Sequence, residues 1–260
     1  MKNSQVTIII PTHERHNLLR RAVEYYKYWD SKIVIVDSSE KEWVADLPNN
    51  FIYLHCPLTN FGDKLNIALT QASTNYAAIC ADDDFLAING ISQGIKFLEQ
   101  NPNYVSVQGN IISFYQMKSK VIYKVGFNRE GYKVEGNTQS ARIKDAFSPY
   151  MHQIYSLHRK INLEKCLEIT KGIHSVSPVE IATTLVSAFR GNHKILPIFW
   201  IARDNKKHTN YSLVVDTSKT KRKDEALSAV VDDWENYLSS NEGLLFKQQF
   251  IDSIKVEKIK

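Results

Sequence analysis

The chain has 260 residues, of which 43% are hydrophobic and 23% charged, with a formal net charge of +5. That size and composition suit a soluble chain with a substantial core, one large α/β unit or a core with a small appendage. The charge is too mild to point to a nucleic-acid binder, and no apolar run approaches the roughly 20 residues that cross a bilayer. In chain order, Val6 to Ile10 is a β-branched run that predicts a strand buried on both faces. Pro11-Thr12 breaks it, and Leu18, Leu19, Ala22, Val23 and Tyr26 recur at helical spacing. Ile33 to Val36 predicts a second strand ending at Asp37-Ser38-Ser39, and Phe51 to His55 a third. Leu65 to Ala72 reads as a helix, Tyr76 to Cys80 as a strand, and Gly90 to Gln100 as a helix closed by Asn101-Pro102. This alternation predicts a Rossmann-like, mostly parallel sheet with right-handed crossovers.

After residue 103 the rhythm changes. Tyr104 to Phe114 and Lys120 to Val125 are strand-like, whereas residues 126–148 are polar and read as a mobile or ligand-ordered excursion. A short strand is expected over Gln153 to His158, a helix over Pro178 to Arg190 and a strand over Lys194 to Ile201. From Asp224, the residues Ala226, Leu227, Val230, Val231, Trp234 and Leu238 fall on one helical stripe. The expected division is a first half over 1–115, a second over 116–215 and a basic helical extension over 216–260. The basic excess is local: Lys219, Lys221, Arg222 and Lys223 lie together, and Lys255, Lys258 and Lys260 fall in the last six residues. Two readings stay open, a solvated face or docking on an anionic membrane surface, where each cation contributes about 1 kcal/mol.

The chemistry concentrates at Asp82-Asp83-Asp84, which follows the small apolar run Ala77 to Ala81. Three adjacent carboxylates repel one another, and burying them uncompensated is costly. A divalent cation removes the conflict. If the segment is extended, residues i and i+2 project to one side, so Asp82 and Asp84 address one ion while Asp83 points away. Such oxygen donors suit Mg²⁺ or Mn²⁺, which keep positions for water and phosphate oxygens. The end of a strand is also where open α/β sheets bind ligands. An N-cap fits poorly, because the next helix begins some six residues later.

Four segments occur in order: Val-Thr-Ile-Ile-Ile-Pro-Thr-His-Glu-Arg (6–15), Ile-Val-Ile-Val-Asp-Ser-Ser (33–39), Gly-Asp-Lys-Leu-Asn (62–66) and Ala-Asp-Asp-Asp-Phe (81–85). Together they resemble the nucleotide-binding half of family 2 glycosyltransferases of GT-A fold, over residues 6–115. The resemblance implies an α/β GT-A architecture with a smaller acceptor-binding half. It further implies that Pro11, Thr12, Glu14 and Arg15 cradle a nucleoside, and that Asp37 recognises its base or ribose. Lys64 would face the diphosphate or sugar, Asp84 would be the main metal ligand, and Asp82 and Asp83 would lie near the ribose, sugar or metal-bound water. Asp37 read alone is a turn former before two serines, and Lys64 read alone is a surface lysine.

An inverting transfer needs a base for the acceptor hydroxyl. Relatives carry that carboxylate at the start of a helix followed by a strand, which points to Glu180, although Ile181 stands where a second acid is common. Ser177 and Glu180 also read as a capping box with Pro178 at the first helical position, which accounts for both residues without catalysis. His208 resembles a C-terminal-loop histidine that completes the metal shell, and Arg203 and Lys206 could face phosphate; a solvated loop accounts for all three. His158 reads as a satisfied core histidine.

The expected activity is therefore metal-assisted transfer from a nucleotide-sugar to a glycan or glycolipid acceptor, by analogy in surface-polysaccharide synthesis. The alternative is a non-catalytic nucleotide-binding or interaction subunit. A sugar-1-phosphate nucleotidyltransferase is disfavoured because the Pro11 loop lacks glycine. Cys56, Cys80 and Cys166 form no CxxC pair and the apolar N-terminal run is short, so reduced thiols and a cytoplasmic setting, at most on the inner membrane face, are expected.

Overall fold

The computed structural model describes residues 4–117, 120–125 and 131–204. The helical stripe from Asp224, the basic clusters, Lys206 and His208 lie outside the described residues. Chain order begins β1 (Val6–Thr12), α1 (His16–Tyr26), β2 (Lys32–Asp37), β3 (Phe51–His55), α2 (Phe61–Thr70), β4 (Tyr76–Ile79) and β5 (Phe85–Leu86). It continues α3 (Ile88–Gln100), β6 (Tyr104–Met117), β7 (Lys120–Val125), β8 (Lys133–Val134), α4 (Gln139–Ala146), β9 (Leu157–Arg159), α5 (Lys160–Glu168), α6 (Val176–Arg190) and β10 (Asn192–Asp204).

One sheet runs through both halves in the order β3-β2-β1-β4-β9-β6-β10-β5. β1 is parallel to β2 and β4, β2 to β3, and β6 to β10. β9 is inserted antiparallel between β4 and β6. The expectation of a mostly parallel α/β sheet holds. Strands β1 and β2 are buried almost throughout, which is why their sequences are unbroken β-branched runs rather than alternating ones. Register aligns Thr12 with Asp37 and Asp37 with His55, so the carboxyl ends of three parallel strands make one edge.

The region 126–148, expected to be an irregular excursion, contains β8 and α4 within its described part. Helix α4 gives little apolar period because it packs only Ile143 and Ala146 into a small cluster with Val134 and Ala188, and polar contacts complete its hold. Thr138 caps it by accepting from the Ala141 N–H, and the Arg142 guanidinium donates to the carbonyls of Ala188 and Phe189 on α6. The strand expected over Gln153 to His158 begins only at Leu157, because the segment before it closes a turn in which Ser156 N–H donates to Gln153 O.

Two close approaches fix helices α2 and α3. A Cβ on Gly62 would lie 1.9 Å from the Thr170 carbonyl oxygen, so glycine lets the first turn of α2 abut the 170–173 loop. A Cβ on Gly94 would lie 2.9 Å from the Trp200 ring, which fills the α3–β10 contact and donates its indole N–H to Tyr155 O.

His158 is fully buried on β9. Its Nε2 lies 3.0 Å from the Gln153 carbonyl and its Nδ1 3.2 Å from the Asn162 amide nitrogen, an arrangement that suits the neutral Nε2–H tautomer. Burial pushes its pKa down to about 4, with the Gln153 contact opposing. A folded pKa below the unfolded value gives stability that is present above the unfolded pKa and lost as pH falls through the folded one. The stability difference between wild type and His158→Gln should therefore narrow by up to about 3 kcal/mol from neutral pH to pH near 4. Urea unfolding at several pH values measures it, and a constant difference contradicts the assignment.

Candidate active site

After β4 the chain turns rather than continuing extended, with Asp84 N–H donating to Ala81 O at 3.2 Å. The expected alternation of Asp82 and Asp84 against Asp83 consequently fails, and all three side chains border one cleft of about 470 Å³. Asp82 and Asp84 are 1% and 2% exposed. Thr12 Oγ1 donates to Asp82 Oδ2 at 2.7 Å, and Arg15 Nη1 lies 3.1 Å from Asp82 Oδ1. The same guanidinium donates to Asp83. Asp84 accepts from Arg203 Nε at 3.2 Å and from the Asp204 N–H at 3.0 Å. Burial pushes Asp82 up to about 6 against the pull of Arg15, and Asp84 up to about 7 against that of Arg203.

One residue essential to this arrangement leaves no trace in the apolar pattern of its helix. Arg21 of α1 is 1% exposed, donates to the Asp83 carbonyl at 2.9 Å and pairs with Asp204 at 2.9 Å. Its guanidinium lies over the rings of Phe85 and Phe114. Asp204 in turn presents its N–H to Asp84, so α1, the acidic turn and the end of β10 form one unit.

Pro11, Thr12, Arg15 and Lys64 all line the cleft, with Asp82, Asp83, Asp84, Glu180 and Arg203. Lys64 is not a surface lysine. It is 5% exposed, and its ammonium donates to Thr12 O at 2.8 Å and Ser38 Oγ at 3.1 Å. Burial holds its pKa down at about 8, while Asp82 and Asp37 oppose the fall. Its helix is capped by Asn60, whose side chain accepts from the Asp63 N–H.

Asp37 and Glu14 stand beside the cleft instead of lining it. Asp37 is fully buried; Ser39 N–H and Oγ donate to its Oδ1, Tyr53 OH donates to its Oδ2, and His16 Nε2 lies 2.8 Å from that oxygen. Burial alone would raise its pKa, but these donors outweigh burial and lower it. The turn-forming role of Asp37 is thus present in the structure. Glu14 has a φ of 52°, its N–H donates to Ser39 Oγ, and its carboxylate accepts from Glu40 N–H. It therefore staples the loop after β1 to the loop after β2.

The capping box does not form. Helix α6 begins at Val176, with Ser175 as N-cap and no side-chain capping bond, so Ser177 and Pro178 lie inside the first turn. Glu180 is left facing the cleft, partly buried, and burial raises its pKa while Arg203 opposes the rise. Arg203 lies over the Tyr155 ring, with its guanidinium carbon 4.7 Å from the centroid.

Replacing Arg21 with Met removes its ion pair with the buried Asp204 carboxylate and its bond to the Asp83 carbonyl, which should cost about 3–5 kcal/mol. Adding Asp204→Asn in the same chain should recover part of the loss in urea unfolding. A single variant as stable as wild type contradicts this account.

Comparison with known proteins places these features in a family. A family model described as glycosyl transferase family 2 matches residues 7–156. A search of curated proteins finds no match. Among solved structures, a crystal structure of S. aureus TarS residues 1–349 is similar at a TM-score of 0.50 and 14% identity, over 99% of this chain and 80% of that one. A crystal structure of S. aureus TarS gives a TM-score of 0.48 at 14% identity, over 100% of this chain and 44% of that one. The first likeness concerns the fold, which is of GT-A type. The family match spans more than half of the chain and includes β1, β2, α2 and the acidic turn; the chain belongs to glycosyl transferase family 2 and its enzyme class is that of a glycosyltransferase.

Proposed function

We propose that this chain transfers a sugar from a nucleotide-sugar donor to a hydroxyl of a glycan or glycolipid acceptor, with inversion and with Glu180 as the base, in cell-surface polysaccharide synthesis. The observation that carries the reading is that Glu180, released from a capping role, faces the same cleft as the acidic turn and its cations. Burial that raises the Glu180 pKa suits a carboxylate that must take a proton near neutral pH. In the proposed step the acceptor oxygen bonds to the anomeric carbon, the bond from that carbon to the diphosphate breaks, and the hydroxyl proton passes to Glu180. Arg15, Lys64 and Arg203 line the cleft where the departing negative charge would gather.

The residues fit a divalent cation. Asp82 Oδ1 is buried without a hydrogen bond despite the nearby Arg15, and burial keeps Asp82 and Asp84 well above the usual carboxylate range. No set of three His, Cys, Asp or Glu side chains converges among the described residues. Mg²⁺ and Mn²⁺ sites built on one or two carboxylates complete their shells with water and phosphate oxygens, so Asp84 and Asp82 are the proposed holders. His208 remains a proposed additional ligand. When bound, the cation would neutralise charge on the leaving diphosphate.

Glu180→Gln should lower the rate of nucleotide release by about 10²- to 10⁴-fold with acceptor present, while donor binding and melting temperature hold. Near wild-type turnover in a folded variant removes Glu180 as the base. A second measurement addresses the metal. Screening UDP-, GDP-, CMP- and dTDP-sugars with and without Mn²⁺ should reveal one that raises the melting temperature only with the metal. Asp84→Asn should abolish that metal-dependent rise; an undiminished rise assigns the ion elsewhere.

A further inference from the structure

Asp84, proposed above as a metal holder, already has a partner on each carboxylate oxygen. Oδ1 accepts from the Asp204 N–H at 3.0 Å and Oδ2 from Arg203 Nε at 3.2 Å. Asp82 differs, because its Oδ1 is buried without a hydrogen bond. A cation that takes both carboxylates meets an open oxygen on one and contested oxygens on the other. An oxygen with one partner keeps a second lone pair, but a dication there would sit within a few ångströms of the guanidinium. Like charges at that distance repel. Something at Asp84 has to give way.

The two partners differ in how firmly they are held. The Asp204 N–H is a neutral donor on β10, where Asp204 stands in register with Phe114 of β6 and its side chain is tied to Arg21. The sheet fixes it. Arg203 instead reaches Asp84 with a long side chain that is 38% exposed. It makes contact through Nε at 3.2 Å, the long end of the N–H···O range. Its Nη2 turns to the Tyr155 hydroxyl at 3.4 Å, so the two-pronged geometry of strong arginine–carboxylate pairs is not formed. The Tyr155 ring, 4.7 Å from the guanidinium carbon, gives the cation a seat that does not depend on Asp84. Glu180, which lines the same cleft, also attracts it. Arg203 is the partner that can leave.

We propose that Arg203 is an intramolecular competitor for the metal, yielding Asp84 when a divalent cation binds and turning its guanidinium, seated on the Tyr155 ring, to the donor diphosphate. Arg203 is thus a positioning residue for Asp84 before it is a partner of phosphate. The consequence is coupling between the two ligands. With metal alone, the guanidinium loses a carboxylate and gains no new anion. With a diphosphate present it gains one, so each ligand tightens the binding of the other. The inference rests on the metal-assisted transfer reading above.

The test uses the full chain and Mn²⁺ alone, with the free ion followed by its electron paramagnetic resonance signal. Arg203→Gln should bind Mn²⁺ about tenfold more tightly than wild type, since it has no charge-assisted bond to Asp84 to break. Adding Asp84→Asn in the same chain should remove the gain. A merely structural role for Arg203 predicts the opposite sign, because a loosened Asp84 would hold the ion less well. A second measurement keeps the wild-type residue. The Nε–H resonance of Arg203, assigned by its loss in Arg203→Lys, should shift and exchange faster with water as Mg²⁺ is added. Saturation is read from the melting temperature. The competition is overturned, with the metal reading intact, if Arg203→Gln binds Mn²⁺ equally or less tightly, if its gain survives Asp84→Asn, or if the Nε–H resonance is unmoved at saturation. If neither wild type nor Arg203→Gln binds the ion, the metal reading itself falls and the competition with it.

Discussion

The structure depends on keeping three consecutive carboxylates at the centre of a sheet edge, two of them almost wholly buried. Desolvation disfavours their charge, and neighbouring aspartates repel. The fold answers with cations from three distant places. Arg15 arrives from the loop after β1, Lys64 from α2 and Arg203 from the end of β10, while Arg21 inside α1 holds the Asp83 backbone carbonyl. Backbone donors and Thr12 complete the set. The acidic turn therefore knits the first helix and the last described strand to the middle of the sheet, and a large part of the local architecture exists to hold it.

The same constraint explains the shape of the cleft. Lys64 reaches its place because Gly62 permits α2 to press against the loop that leads into α6, and that loop also sets where α6 begins. Starting at Val176 brings Glu180 round to the acidic turn. The inner face of α6 buries Val179 and Ala188 beside Thr183, Thr184 and Ser187, and Ser187 accepts from the buried Asn162. Base, cations and carboxylates thus share one cavity because of backbone contacts well behind it.

Much of the first hundred residues was legible in the sequence. β-branched runs such as Val6 to Ile10 have few structural alternatives when buried on both faces, and punctuation at Pro11 and at Asp37-Ser38-Ser39 marks the strand ends that carry the site. The second half was less legible. Helix α4 adds only Ile143 and Ala146 to a small apolar cluster and is otherwise held by Thr138 and Arg142, so periodicity had little to detect. Arg21 was invisible for a related reason: a lone arginine among apolar helix positions reads as solvated until a carboxylate 183 residues away is placed opposite it.

The sequence by itself determined the parallel sheet of the first half, the order of its motifs and the presence of an acidic, strand-end site, because burial periodicity and strand punctuation are local properties. Only the tertiary structure decided which charges meet there. It turned Asp83 into the cleft, withdrew Asp37 and Glu14 into loop stapling, buried Lys64, and freed Glu180 from a cap. The physical reason is that Coulombic and hydrogen-bond partners act over a few ångströms of space, and folding brings together side chains that no local pattern relates.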